Sequence, residues 1–377
     1  MSKIDEAIKK INKKFKCEII GTKEISSFNV KDYIPWPTPA LYYLYHGNMP
    51  TQTLWEISGE FSSGKSSLCY GIVGNAQKQF KKNWDEEVAK LQAKEKLTND
   101  EKTRLATILD SGPKKCVYLD AEHSSDPVWM KKNGVDVDNI IFIYPQAESA
   151  ESLLQTTLDL IETCEVGLLV IDSLATMVSS QMYNNNDLEK KSYCGISKPL
   201  TEWTAKVLPM LSKCDCTVVC VNQERQLIGS QYPTTTTVGG KGFSYGCHSR
   251  ISLRKERCLD EKYNEIANNT ETVYGQTTAI AVKKNKLSPM DRKLAKFTIT
   301  FENGIDKYND VFLMSVSLGI MNQAGAWYSM LDDAGEVITD TEGNLMKWQG
   351  KPNVMAYLKA HEEFTQSLIS KIEELTK

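Results

Sequence analysis

The segment GEFSSGKS at 59–66 has the residue types and spacing that phosphate binding requires, and it lies between a strand-like LWEISG run and an apolar helix start. Gly59 and Gly64 let the backbone close around an anion with its N–H groups pointing inward. Lys65 neutralises the terminal phosphate oxygens, the Ser66 hydroxyl is suited to a divalent metal, and Ser62, Ser63 and Ser67 complete the polar lining. A chance glycine–serine turn is the competing reading, and the flanking strand and helix signals weigh against it. Such a loop needs a second acid at the end of a neighbouring strand. Asp172, after the apolar run of GLLVIDS, supplies one and would share the metal with Ser66. A third run, KCVYLDAEH, ends in Asp120 and Glu122, and Glu122 is the candidate general base for an attacking water. From spacing alone Glu122 could equally be a helix N-terminal or surface acid, and His123 is assigned no role. The chemistry implied is binding and hydrolysis of ATP with Mg2+.

Acids and loops from distant parts of the chain must be brought together by a frame. From about residue 51 to 305 short β-branched runs alternate with helical stretches: LWEISG, KCVYLDAE, NIIFIYP, GLLVIDS, CTVVCVNQ, SRISLRK, TAIAVKKN and FTITFE. This alternation predicts an α/β fold, a mainly parallel twisted sheet flanked by helices. Ahead of it, Ile4, Ala7, Ile8, Ile11 and Phe15 share one face of an amphipathic helix with Ser2 and Asp5 in capping-box spacing, followed by a strand-like CEII. That helix either packs on its own domain or reaches a neighbouring subunit. More than half of residues 78–104 are charged, Trp84, Val88 and Leu91 fall at helical spacing, and Thr98 with Glu101 would cap a second helix. This predicts a charged helical hairpin, 78–112, inserted between the first helix and the second strand. Beyond 308 a small mixed α+β module ends in a helix through AHEEFTQSLISKIEELTK. The expected domains are 1–35, an oligomerisation helix and strand; 36–307, the ATPase core; and 308–377, a small C-terminal domain.

Composition narrows the options without choosing among them. With 41% hydrophobic and 25% charged residues the chain is neither disordered nor fibrous. A net charge of −3 requires any nucleic-acid surface to be a local concentration of basic residues. Cysteines such as Cys116, Cys164 and Cys220 lie in apolar runs and read as reduced core thiols, while Cys214, Cys216 and Cys220 lack the matching pair that a zinc site needs. No signal-like opening segment and no membrane-length apolar run is present, so a cytoplasmic location is expected.

The ordered series GEFSSGKSS, YLDAEHSSDP, LLVIDS, VNQ, a Gly-Gly-Lys-Gly segment, KKNK and AGAWYS resembles the bacterial RecA recombinase family, including its phage members, over roughly residues 50–330. The resemblance implies a RecA-like ATPase core in which Glu122 activates water and Gln223 senses the γ-phosphate. Trp129, with Asp126 beside it, stands where an aromatic residue meets adenine, and Phe301 stands where an aromatic is expected at the subunit interface. Lys284 and Lys286 resemble a pair that reaches a neighbouring subunit's γ-phosphate.

The loop 224–238 stands where the family has its second DNA-contacting loop, and Arg225, Gln226, Ile228, Gly229, Tyr232, Gly239 and Gly240 are its candidate contacts. A disordered surface loop is the alternative. A first DNA loop is expected at 181–198, with Lys198 and Lys206 carried over, and Arg250 and Arg254 would add basic charge along one strand. The implied activity is a DNA-dependent ATPase that forms helical filaments on single-stranded DNA and exchanges strands with a homologous duplex. Its partners would be both DNAs, further copies of itself, and single-strand-binding and mediator proteins, in a bacterial or phage-infected cytoplasm. A hexameric helicase or motor of the same fold and an ATP-regulated DNA-coating protein are the rival readings.

Overall fold

The computed structural model describes residues 6–7, 9–10, 13, 32–146, 148–183, 195–226, 235–340 and 343–377. The chain divides into two units, Met1–Lys31 and Asp32–Lys377. In the first, Glu6, Ala7, Lys9, Lys10 and Lys13 are helical and exposed. The apolar face expected from Ile4, Ile8, Ile11 and Phe15, and the CEII strand, lie outside the described residues.

The second unit is built on one large sheet. Its main strands in chain order are β1 (Leu54–Gly59), β2 (Lys115–Asp120), β3 (Ile140–Ile143), β4 (Val166–Asp172), β5 (Thr217–Gln226), β6 (Thr235–Thr237), β7 (Ser249–Leu259), β8 (Gly275–Asn285), β9 (Leu294–Thr300) and β10 (Gly304–Ile305), with the short Glu265–Ile266 paired to the end of β7. The spatial order is β10-β9-β8-β7-β1-β5-β4-β2-β3. Strands β7 to β3 in that order are parallel, and β8, β9 and β10 continue the sheet antiparallel. Every residue of β1 and β4 is buried, as expected of parallel strands covered on both faces. Alternation along the strands divides two cores. Trp55, Tyr118, Val170 and Val219 join one, and Leu54, Val117, Leu169 and Val218 the other.

The helices follow from local signals. Helix α1 (Pro39–Tyr45) is capped by Thr38, with proline in its first turn. Helix α2 (Lys65–Gln92) starts at the phosphate loop and runs for 28 residues without a break. Helix α3 (Asn99–Ser111) carries both bonds of the capping box, Thr98 Oγ1 to Glu101 N–H at 3.2 Å and Glu101 Oε2 to Thr98 N–H at 3.0 Å. The expected hairpin is therefore present, but its first arm is the far end of α2 and not a separate helix. Trp84 Nε1 donates to Ile108 O at 2.8 Å and Arg104 pairs with Glu87, which holds the arms together.

Helix α4 (Pro127–Lys132) is short, α5 (Ala150–Glu162) and α6 (Ser197–Cys214) cover one sheet face, and α7 (Gly240–Gly246) follows β6. Trp203 of α6 donates Nε1 to Thr157 Oγ1 of α5 at 2.9 Å. Cys164, just after α5, is joined by a disulfide to Cys214 at the end of α6, their Cα atoms 4.4 Å apart. The expectation of reduced thiols holds for buried Cys116 and Cys220 but not for this pair, whose neighbouring strands bring two helix ends together.

After β10 come α8 (Lys307–Ser317), three antiparallel strands β11 (Met321–Ala324), β12 (Trp327–Met330) and β13 (Lys347–Gln349), then α9 (Lys351–Ala360) and α10 (Glu362–Thr376). This lobe has its own core around Phe312, Met330, Val354, Leu358 and Ile372. Arg292 ties it to α1 by donating Nη1 to both Tyr43 O and Thr376 O, at 2.9 and 2.6 Å. Among the described residues no helix is long and apolar enough to cross a membrane.

Candidate active site

Four parallel strands point their carboxyl ends to one edge of the sheet: Gly59 of β1 is level with Gln223 of β5, and Asp120 of β2 with Asp172 of β4, while Ile171 of β4 is level with Cys220 of β5, so β1 and β5 reach further over the edge than β2 and β4. Ligand sites form outside such carboxyl ends. Here a cleft of about 830 Å³ opens over them.

The phosphate loop is held open by backbone geometry. Gly64 takes φ of 88° at the N-terminus of α2, and a Cβ there would lie 2.4 Å from Ile299 Cδ1; a Cβ on Gly59 would lie 2.4 Å from Leu253 O. From β8, Gln276 Nε2 donates to Ser62 O at 3.1 Å and Thr278 Oγ1 to Ser63 O at 3.3 Å, so the curl is braced from outside. Lys65 folds back to donate Nζ to Gly59 O and Glu60 O, at 3.2 and 2.7 Å. Burial lowers its pKa, and the Asp172 and Glu122 charges oppose that shift. An ammonium bonded only to carbonyls keeps its charge available to an anion.

Ser66 Oγ donates to Asp172 Oδ2 at 2.8 Å, and Tyr118 OH donates to the same oxygen at 2.6 Å. Burial raises the Asp172 pKa while those two hydrogen bonds lower it. A hydroxyl and a carboxylate in direct contact beside a phosphate loop are an oxygen donor set that suits a hard divalent cation. Their arrangement fits the Mg2+ expected from the sequence.

Asp120 shapes the turn that presents Glu122. Its Oδ1 accepts Glu122 N–H at 3.1 Å, and Oδ2 accepts Ser124 N–H and Ser125 N–H at 3.0 and 2.9 Å. Glu122 Oε1 then accepts Gln223 Nε2 at 3.0 Å and the Ser173 hydroxyl. Trp129 lines the cleft from α4 and donates Nε1 to Ser67 Oγ at 3.1 Å, and Phe301 lines its rim half-exposed. Asp126 instead caps α4, accepting Val128 N–H at 2.9 Å, and is not among the lining residues. Ser173, Gln276, Glu224, Lys255 and Ser124 belong to this neighbourhood and were not singled out by sequence reasoning. For Ser173 alone was there a signal, its place directly after Asp172 in VIDS.

Beyond Gln223 the chain does not leave the sheet at once. Glu224, Arg225 and Gln226 pair antiparallel with Thr237, Thr236 and Thr235, so loop 224–238 begins and ends as a hairpin. Arg225 is exposed on it. Ile228, Gly229 and Tyr232 lie outside the described residues, as does most of the first expected loop, 184–194. Lys198, in the first turn of α6, and Lys206 are exposed. Gly239 and Gly240 start α7 with φ of 112° and 71°. Arg254 is exposed beside Glu256 at 3.7 Å. Arg250 differs: its guanidinium is paired with the fully buried Glu56. Lys284 donates Nζ to Ser244 O and Tyr245 O at 2.9 and 2.8 Å, and Lys286 to Tyr245 O at 3.2 Å. Both lysines thus sit at the C-terminal end of α7, apart from the residues lining the cleft of their own chain.

Residues 102–306 match the family model of the RecA N-terminal domain. The chain is also similar to curated proteins over most of its length. It is 28% identical over 333 residues to Protein RecA of Wolbachia pipientis subsp. Culex pipiens, covering 88% of this chain and 78% of that protein. It is 28% identical over 330 residues to Protein RecA of Rickettsia canadensis, covering 87% and 79%. Against Protein RecA of Mannheimia haemolytica it is 27% identical over 331 residues, covering 87% and 73%. Neighbouring strand ends that carry a phosphate loop, two acids and a glutamine, in a chain that matches this model over more than half of its length, lead to one assignment: the chain belongs to the RecA family of recombinases.

Proposed function

We propose that the protein is a DNA-dependent ATPase that assembles as a helical filament on single-stranded DNA and exchanges strands with a homologous duplex. One contact carries the reading: Gln223, the last residue of β5 that pairs with β1, donates to Glu122 and is followed directly by the loop 224–238. The residue that touches the candidate base and the residue that starts the candidate DNA loop are neighbours in sequence. Loss or gain of that contact changes the loop's first backbone unit, and this is the coupling a recombinase needs.

In this reading Lys65 and the loop N–H groups bind the ATP phosphates, and Ser66 and Asp172 hold Mg2+, which would offset phosphate charge when bound. Glu122 orients a water molecule and takes its proton at the carboxylate, with Ser173 and Gln223 fixing the direction of that carboxylate. Trp129 packs against the base. Lys284 and Lys286 act on the cleft of an adjacent subunit, as cations delivered in trans. Arg225 and the exposed Lys198 and Lys206 contact DNA phosphate, and complementary base pairing recognises homology. The domains are a filament-joining segment at 1–35, the core to 307 and the lobe from 308.

A strand-exchange assay tests this. With ATP and Mg2+ the protein should transfer a labelled strand from a homologous duplex and not from a heterologous one. Unwinding of both duplexes alike, or ATP-independent coating without exchange, would overturn the reading in favour of a motor or a coating protein.

A further inference from the structure

Glu56 lies in the middle of β1, three residues before the phosphate loop, with 0% of its surface exposed. A carboxylate so placed needs partners to offset its lost hydration. Arg250 of β7 donates Nε to one oxygen, and Asn222 of β5 donates Nδ2 to the other at 2.8 Å. Register makes the meeting unavoidable. Glu56 is level with Arg250 on one side and with Cys220 on the other, so Asn222, two residues on from Cys220, lies on the same face.

Both partners also reach the far root of the hairpin. Arg250 Nη2 donates to Thr237 Oγ1 at 3.2 Å, and Asn222 Nδ2 donates to Val238 O at 2.7 Å. Asn222 Oδ1 accepts Gln223 N–H at 3.0 Å at the near root. A pair of apolar residues would fill the same space without desolvating two charges, but it could not grip two points on the hairpin.

We propose that the buried cluster of Glu56, Arg250 and Asn222 is a positioning device that clamps both roots of loop 224–238 to the strand entering the phosphate loop. Displacement of Gln223 is then passed to both roots together instead of dissipating at the first. Arg250 is a positioning residue in this arrangement, turned inward and away from DNA. The inference rests on the ATP-coupled DNA reading given above and adds the part that transmits it.

The test uses the full chain and three variants: Glu56→Gln, the double change Glu56→Gln/Arg250→Gln, and Thr237→Val. The last two leave no unpaired charge buried, and so decide the matter if the first does not fold. Anisotropy of a labelled single-stranded oligonucleotide is read with and without a slowly hydrolysed ATP analogue, and amide exchange is read in the free protein. In Glu56→Gln the analogue-induced gain in DNA affinity should fall about tenfold, with analogue affinity and nucleotide-free DNA affinity unchanged. The other two variants should lose less, in the same direction, and all three should exchange faster at 221–226 and 235–240 but not at 166–172.

Full retention of the gain with unchanged exchange at both roots would overturn the proposal. So would a Glu56→Gln/Arg250→Gln variant that binds DNA more weakly by the same factor in both nucleotide states, with the salt slope lowered by about one, since that is the signature of a phosphate contact. A wild-type chain showing no analogue-induced gain would sink the functional reading instead, and exchange at the roots would then decide the clamp by itself.

Discussion

Gln223 and Glu122 meet across a strand: β4 lies between β5 and β2, yet the amide of one reaches the carboxylate of the other at 3.0 Å. The meeting is possible because β5 runs past the end of β4 and because Asp120 folds the turn that projects Glu122 past the end of β2. Glu122→Gln keeps the shape of that contact and removes the base. ATP binding should persist while single-strand-dependent turnover falls by about 10²–10⁴-fold, measured by steady-state phosphate release. Lys65→Ala should instead weaken nucleotide binding itself, because the ammonium held on Gly59 O and Glu60 O is lost. Wild-type turnover in Glu122→Gln would remove the base assignment.

Gln223→Ala should leave nucleotide affinity intact and reduce the ATP-induced gain in DNA affinity, because the amide links the base to the first hairpin residue. Arg225→Ala should weaken DNA binding in both nucleotide states and lower the log–log salt slope by about one per lost phosphate contact. Salt-titrated anisotropy separates the two. A full ATP-induced gain in Gln223→Ala would exclude the amide as the link.

The Lys284 and Lys286 ammonium groups cap α7 and stand apart from the cleft of their own chain. Replacing both with alanine should abolish cooperative ATPase without lowering the melting temperature by more than a few degrees. Mixed with Glu122→Gln, the double variant should regain part of its activity, since each interface can then combine cations from one chain with a base from the other. Absence of recovery in demonstrably mixed filaments would rule out action in trans.

Burial pushes the Asp310 carboxyl up to about 8; Asp306 adds to this, and hydrogen bonds from Thr38 and Thr298 oppose it. The folded chain therefore keeps a proton that the unfolded chain has released, and stability falls as pH rises toward 8. His248 acts in the opposite sense. Its ring accepts Leu54 N–H at 2.9 Å and burial holds its pKa down to about 4, so it costs stability only as pH drops below about 6.5. Between pH 6.5 and 8 the Asp310 effect is seen without that of His248, with a slope of about 1.4 kcal/mol per pH unit at most. Denaturant titration of wild type and Asp310→Asn across that window checks it: the wild type should lose stability and the asparagine variant should not.

The chemistry-bearing residues were legible where their roles are written locally. A phosphate loop is a strand, a turn and a helix in consecutive residues, and Asp172 ends and Glu122 follows a recognisable strand, so spacing makes them candidates once the phosphate loop is paired with them, although for Glu122 spacing alone leaves a cap or surface acid equally open. Thr98 and Glu101 announced their capping box for the same reason. Residues that act through distant partners carried no such mark. Gln276 braces Ser62 from a strand more than 200 residues away, and Arg250 reads as a solvated strand charge until register sets it beside Glu56. Asp126 carries a second local role that its place in the sequence also allows, since its carboxylate caps the helix that holds Trp129. The hairpin boundary was misjudged because nothing in a run of good helix formers says where a phosphate-loop helix should stop.

Helix α2 begins at the phosphate loop and ends in the hairpin, with no interruption over its 28 residues. At 1.5 Å per residue it is about 42 Å long, and its first turn continues directly from the phosphate loop. A rod of that length is a lever. A tilt of about five degrees at its first turn would carry the far tip through roughly 4 Å. The charged hairpin therefore stands at the far end of the same rod whose first turn carries Lys65 and Ser66, so that a tilt too small to notice at the phosphate loop would be several ångströms at the hairpin.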